Sequence, residues 1–283
     1  MIQDFVQSWV LFHNVYLVGW SIALLLSLIG VLVVARNQIF LSAAVAQAST
    51  LGVAIGMWVA GWGIPVHIAW LESDGWLSVL AVVFAIISTL FTSRNGSATG
   101  NSAEAVTGWV FLVSASVAIL LMAHSPHGLE EVHRLLLSSI IGASRHDGWV
   151  FGGLLLLSGL LIATLHRRIL LFALDPVMAT AAGMNVRGWG LMTSGWLGLG
   201  AGLSMRASGM LYTFGCLVLP ALIAANLCRE VRTMFLVAPL VALLSASTGF
   251  VLANYYDYPP AQLIVALMCL LLALTWIVRA GRG

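Results

Sequence analysis

The sequence predicts an all-α polytopic membrane protein with about 8–9 transmembrane helices, and its composition and its apolar runs support this fold class. Apolar residues make up 61% of the chain and charged residues 8%, and the mean hydropathy is +1.03. A water-soluble fold could not cover its surface with the polar residues that remain. The apolar residues are also grouped in runs of roughly twenty, the length that an α-helix needs to cross a bilayer.

The chain starts with an aromatic and polar stretch, residues 1–14, which we interpret as a helix at the membrane interface with Trp9 and Phe12 at headgroup depth. Nine spans of roughly twenty residues are expected after it. They lie near residues 15–35, 39–61, 75–93, 105–123, 148–166, 188–205, 208–227, 233–253 and 259–278. The sixth and seventh are separated only at residues 206–208.

The arginines predict the orientation of the chain, because cytoplasmic loops of membrane proteins are enriched in basic residues. An N-terminus outside and a C-terminus in the cytoplasm, in the plasma (inner) membrane, place most arginines inside and leave Arg134 and Arg145 outside. The cytoplasmic arginines are then Arg36, Arg94, Arg167, Arg168, Arg187, Arg229, Arg232, Arg279 and Arg282.

A short mixed segment on the arginine-rich side, residues 172–187 (FALDPVMATAAGMNVR), interrupts two apolar runs. Asp175 is suited to cap a helix whose first residue is Pro176, and Gly183 to end it, so a helix over residues 176–182 is predicted. Val177 and Met178 give this helix a small apolar face that suits a groove on a soluble partner. The alternative is an interfacial connector helix that binds no partner.

Several motifs occur in the order in which they occur in one transporter family. The chain resembles the membrane permease of zinc/manganese-type ATP-binding-cassette importers (the ABC-3 family membrane subunit), and the resemblance covers nearly all of residues 1–283, which we treat as a single transmembrane permease domain. The motifs that carry it are FLSAAVAQASTLGVAIG (40–56), NSAEAVTGW (101–109), ALDPVMATAAGMNV (173–186), RASGMLYTFGCLVLPALIA (206–224) and YYDYPPAQ (255–262).

This resemblance implies a transport subunit rather than an enzyme. Its expected partners are a cytoplasmic ATPase dimer that engages residues 172–187, an extracytoplasmic solute-binding protein, a second copy or paralogue of the permease, and membrane lipid, with no nucleic acid. The chain itself would bind no cofactor, and the partner ATPase would use ATP. The sequence agrees, because it contains no lysine and hence no Gly-x-x-x-x-Gly-Lys-Ser/Thr motif.

The second span departs from the family pattern. The family places an Asp and a His four residues apart where the cation passes, and the matching positions here are Ala43 and Gln47. We include Thr50 and Pro220 among the candidate pathway residues, Pro220 because a proline can bend a helix and free a carbonyl. Three explanations remain open: a paralogous partner supplies the ligands, the cation takes another route, or the cargo is different, such as a metal chelate. Gln47 is equally suited to an interhelical hydrogen bond.

Zinc-type ligands do occur in one outer loop, where His124, His127, Glu130 and His133 lie close together in sequence. Their spacing matches no strict metal motif, and histidine also suits membrane interfaces. A secondary transporter is the further alternative for the function, but every Asp and Glu lies near the end of a span or in a loop.

Overall fold

The computed structural model describes residues 2–61, 74–98, 103–123 and 140–280. These residues form nine α-helices and one short 3-10 helix, Ile140–Gly142, with no strand among them. The α-helices are α1 (Ile2–Ala35), α2 (Ile39–Gly61), α3 (Asp74–Ala98), α4 (Ala103–Ala123), α5 (Arg145–Leu174), α6 (Pro176–Ala181), α7 (Val186–Leu227), α8 (Val231–Tyr256) and α9 (Pro260–Ala280).

Within the described residues, 8 of these helices are long and apolar enough to cross a membrane, which confirms the predicted fold class. Two details differ from the expectation. The predicted interfacial helix is not a separate element, because α1 runs unbroken from Ile2 to Ala35 and its candidate span begins at Phe12. The fifth span also continues past His166 to Leu174, so α5 is 30 residues long.

The predicted sixth and seventh spans form one helical segment, α7, of 42 residues. Its helical geometry is broken at Gly209, whose φ of 80° and ψ of 171° lie outside the helical region. A positive φ is favourable for glycine, which has no Cβ. The break in helical backbone geometry therefore lies at Gly209, and Pro220 lies within the helix that follows it. We call the two parts of α7 the first segment (186–208) and the second segment (210–227).

The chain divides into two units of packed helices, and the break in α7 lies next to their boundary. Unit 2 comprises Ile39–Ser138 and Arg187–Met210. In it, α3 runs antiparallel to α2, since a Cβ on Gly52 would lie 2.5 Å from the carbonyl oxygen of Leu80, and one on Gly56 2.7 Å from Cδ2 of Leu77. Small residues of this kind allow helix backbones to approach closely in a membrane.

Unit 1 comprises Met1–Gln38, Ser139–Val186 and Leu211–Gly283. Its α1 and α8 are antiparallel: Gly19 lies against Phe250, and Val31 shares a buried cluster with Met234. The second segment of α7 lies alongside α1, and Tyr212, fully buried, donates its hydroxyl to the Gly19 carbonyl at 2.9 Å.

Hydrogen bonds between neighbouring residues fix the start of α5 and the end of α1. Ser144 caps α5: its hydroxyl accepts from the Asp147 amide at 3.2 Å, and its own amide donates to the Asp147 carboxylate at 2.9 Å. This reciprocal pair satisfies amides that a first helical turn leaves free. At the other junction, Asn37 adopts a φ of 53°, and the Asn37 and Gln38 amides donate to the carbonyls of Val34 and Val33. That is the Schellman pattern of a helix C-terminus.

Candidate functional site

The segment 172–187 contains the helix that the sequence predicts. It is α6, Pro176–Ala181, and the Asp175 carboxylate accepts a hydrogen bond from the Met178 amide at 2.8 Å. Gly183 has a φ of 76°, and its amide donates to the Thr180 carbonyl at 3.0 Å. The cap and the terminating glycine are therefore confirmed, and the helix ends one residue earlier than expected.

This segment presents apolar side chains to the outside of the chain while remaining anchored to it. Val177 is 80% exposed and Met178 is 60% exposed, and Leu174 just before them is also exposed. Ala179, on the other side of α6, is fully buried. The neighbouring Arg167, Arg168 and Arg187 are exposed as well. The result is a short capped helix with exposed apolar side chains and with arginines before and after it in the sequence. An exposed apolar patch of this kind marks a site of interaction with a protein or a membrane.

The two departures from the family pattern lie on α2. Ala43 is 7% exposed, and the side-chain amide of Gln47 donates to the sulfur of Met210 at 3.1 Å. The contact joins α2 to the residue that follows the break at Gly209, within unit 2. Gln47 thus makes the interhelical hydrogen bond that we considered as its structural role. Sequence reasoning could not name Met210, because 163 positions separate it from Gln47.

The other two pathway candidates are part of the packed interior. Thr50 donates its hydroxyl to the Ala46 carbonyl at 3.0 Å, a bond within α2, and Pro220 is buried in the second segment of α7. Thr50 belongs to unit 2 and Pro220 to unit 1. Neither position carries a charge, and α2 contains no acidic or basic residue at all. A bare divalent cation would therefore find only neutral groups along this helix.

The structure shows no alternative metal site in the part of the chain that it describes, where no group of three or more His, Cys, Asp or Glu residues lies close enough to hold a metal ion. The outer-loop candidates His124, His127, Glu130 and His133 lie outside the described residues, so their role stays a prediction.

One contact beside the segment 172–187 was not anticipated. The guanidinium carbon of Arg36 lies 4.3 Å from the ring centroid of Phe172, in the last turn of α5. Burial lowers the pKa of the Arg36 guanidinium from its ordinary value. No local motif marks such a pair, because it depends on how α1 and α5 pack.

Comparison with known proteins assigns the family. The sequence profile of the ABC 3 transport family matches residues 8–279. The chain belongs to this family. The predicted family is thereby confirmed, and this member of the ABC 3 transport family is a multi-pass membrane protein with a role in transport.

Named relatives are similar to this chain over most of its length, and a solved structure has a similar fold. The manganese import system permease protein ScaB of Streptococcus gordonii is 22% identical over 282 residues, covering 98% of this chain and 96% of the relative. The chelated iron transport system membrane protein YfeD of Yersinia pestis is 25% identical, covering 69% of this chain and 67% of the relative. The fold is similar to that of PsaBC from Streptococcus pneumoniae in complex with Fab, with a TM-score of 0.81, 17% identity, and coverage of 98% of this chain and 95% of that one.

Proposed function

We propose that this chain is the membrane-spanning permease subunit of an ATP-binding-cassette importer for a divalent transition metal, zinc or manganese. The family membership supports a transport role. The observation that carries the proposal is the capped, exposed apolar turn at Val177 and Met178, because a chain with no ATP-binding motif needs a surface on which an ATPase can act. A manganese import permease among the relatives supports the choice of cargo.

In the proposed mechanism, two ATPase subunits bind residues 172–187 and move them when they close on ATP. The attached helices follow, and the transport pathway opens alternately to the two sides of the membrane. This chain binds no cofactor and hydrolyses nothing. An extracytoplasmic binding protein delivers the metal, and a second permease copy or a paralogue completes the pathway.

The proposed orientation in the plasma membrane has the N-terminus outside and the C-terminus in the cytoplasm. At 1.5 Å per residue, the 42 residues of α7 contain about 63 Å of helix in total, roughly twice the thickness of the hydrocarbon core. We therefore count α7 as two crossings that meet at Gly209. The number of crossings is then odd, and Arg36, Arg187 and Arg279 all lie on the cytoplasmic side.

A second cargo class has an observation in its favour. The side-chain amide of Gln47 donates to the sulfur of Met210, and the side chain of Ala43 is a methyl group. The helix α2 therefore offers no carboxylate or imidazole to a bare cation. A metal that travels inside a chelate keeps its own ligands and needs only a neutral passage. A chelated iron transport protein among the relatives is consistent with this alternative.

The first experiment expresses the chain with its candidate ATPase and binding protein and measures the elemental content of the cells, with an inactive ATPase as the control. We expect an ATP-dependent gain of zinc or manganese. A complex that assembles and hydrolyses ATP without any gain of either metal would overturn the metal-ion assignment. Supplying chelated metals to the same cells then tests the second cargo class.

Two variants test the docking surface. Asp175→Arg removes the cap, worth about 1 kcal/mol, and places a positive charge at the start of α6. Gly183→Pro forces φ to about −65° where the structure has 76°. We expect both variants to keep ATP hydrolysis in the assembled complex while metal uptake falls to the level of the inactive ATPase. Asp175→Asn and Gly183→Asn preserve the cap and the left-handed residue, and serve as controls. Normal uptake in both disruptive variants would refute the docking assignment.

A further inference from the structure

The turn between α1 and α2 and the end of α5 meet in one cation–π contact, between Arg36 and Phe172. Phe172 is 1% exposed, and Arg36 is partly buried. A guanidinium within about 6 Å of an aromatic ring is attracted by the negative face of the ring, and more strongly when water is excluded. Burial also lowers the pKa of the Arg36 guanidinium, which agrees with a cation partly withdrawn from water.

The backbone fixes both partners of this contact. Arg36 precedes the left-handed Asn37, and the two hydrogen bonds of the Schellman turn hold this end of α1 closed. On the other side, Phe172 lies between the buried Ile169 and Ala173 on the face that α5 turns to the interior. The contact therefore joins two rigid helix ends rather than two mobile side chains.

The end of α5 is also the base of the projecting α6. Asp175 closes α5, since its amide donates to the Leu171 carbonyl at 3.0 Å, and the same residue caps α6 with its carboxylate. No flexible linker separates the two helices, so a displacement of α6 must move Phe172. On the other side, Arg36 is three residues from the start of α2 at Ile39, the helix that carries Ala43 and Gln47.

We propose that Arg36 is a positioning residue for transport: through Phe172 it ties the segment 172–187 to the α1–α2 turn, so that a push on α6 is transmitted to the helices on either side of that turn. This inference rests on the proposed function, because it assumes that an ATPase acts on the segment. If Arg36 only packed against Phe172, its loss would lower the stability of the protein and nothing else. As a positioning residue, Arg36 also sets the number of metal ions transported per ATP hydrolysed.

The test uses the complete complex of permease, ATPase and binding protein in proteoliposomes, and measures metal ions transported per ATP hydrolysed. A desolvated cation–π contact corresponds to a roughly five- to thirty-fold change in a two-state equilibrium. Arg36→Gln is expected to lower the ratio by about that factor with ATP hydrolysis retained, and Arg36→Lys, which keeps a cation, to give an intermediate value. Arg232→Gln, which removes an exposed arginine of the same unit, is expected to leave the ratio unchanged.

Phe172→Leu provides the second half of a double-mutant cycle, because it keeps an apolar side chain in the core and removes the ring. If the two residues act together, the double variant transports as many metal ions per ATP as the more impaired single variant. Independent, multiplying losses would overturn the inference, and so would a wild-type ratio in Arg36→Gln. Should the Arg36→Gln complex fail to assemble, Phe172→Leu alone carries the test, with a wild-type ratio as the contrary result.

The controls separate this inference from the proposed function. If the wild-type complex hydrolyses ATP but imports no metal, the proposed function fails. If the wild-type complex imports metal and the Arg36 and Phe172 variants import the same number of metal ions per ATP, only the proposed role of Arg36 fails.

Discussion

Replacing Gly30 by alanine should destabilise the protein, although alanine favours helix formation. Gly30 lies where α1 approaches the second segment of α7. A Cβ at this position would overlap the carbonyl oxygen of Leu217, and would lie 2.8 Å from its carbonyl carbon and 3.5 Å from its Cα. All three atoms belong to a helical backbone and cannot rotate away, so the two helices would have to move apart.

The expected size follows from two opposing effects. Overpacking a well-packed site costs about 1–3 kcal/mol, and a Gly→Ala change within a helix recovers about 0.5–1 kcal/mol. The net loss is about 1 kcal/mol, which lowers the ratio of folded to unfolded protein about five-fold.

An unfolding titration in mixed detergent micelles, followed by the fluorescence of the 11 tryptophans, measures this loss. Gly153→Ala on α5 is the matched control, because nothing lies within 4 Å of a Cβ built there. We expect Gly153→Ala to be at least as stable as the wild type. If Gly30→Ala is as stable as Gly153→Ala, then the close approach of α1 to Leu217 is wrong.

Two further changes test the contacts of α1 and α2. Tyr212→Phe removes the hydrogen bond from a fully buried hydroxyl to the Gly19 carbonyl and should lower the stability by about 1 kcal/mol in the same titration; no change would show that this bond contributes nothing. The double variant Ala43→Asp with Gln47→His places a carboxylate and an imidazole one helical turn apart, so the purified protein should retain more zinc than the wild type by elemental analysis. Equal zinc contents would show that the two positions do not face a common space open to a cation.

Sequence alone predicted the elements whose signals are local. Asp175, Pro176 and Gly183 define α6 because a cap, a residue with no amide hydrogen and a left-handed residue each act within one turn of the helix end. The spans were predictable for a similar reason, since a bilayer requires a long apolar run whatever its neighbours are. Three details were missed: the unbroken α1, the extension of α5 to Leu174 and the break at Gly209. An apolar sequence shows a glycine, but not which glycine leaves the helical region.

The contacts between distant parts of the chain were not predictable. Gln47 was expected to make either a pathway contact or an interhelical bond, and only packing shows that it bonds to Met210. Arg36 was assigned by its charge to the cytoplasmic side, but its position over Phe172 depends on the packing of α1 against α5. Such contacts cannot be predicted from a single sequence, because the two residues are far apart along the chain.

The two candidate sites differ in how closely they follow the family, and the difference has a physical reason. Under the proposed function, the segment 172–187 fits the shape of an ATPase, a demand that is independent of the cargo. The cap at Asp175 and the turn at Gly183 are both present in this segment. The α2 positions must instead match the charge and the coordination of whatever passes, and a methyl and an amide replace the carboxylate and the imidazole there. A change of cargo, or a paralogous subunit that supplies the metal ligands, would alter the α2 positions and leave the segment 172–187 intact. Under the proposed function, the α2 positions of this chain can therefore change with the cargo while the segment 172–187 keeps the features that an ATPase binds.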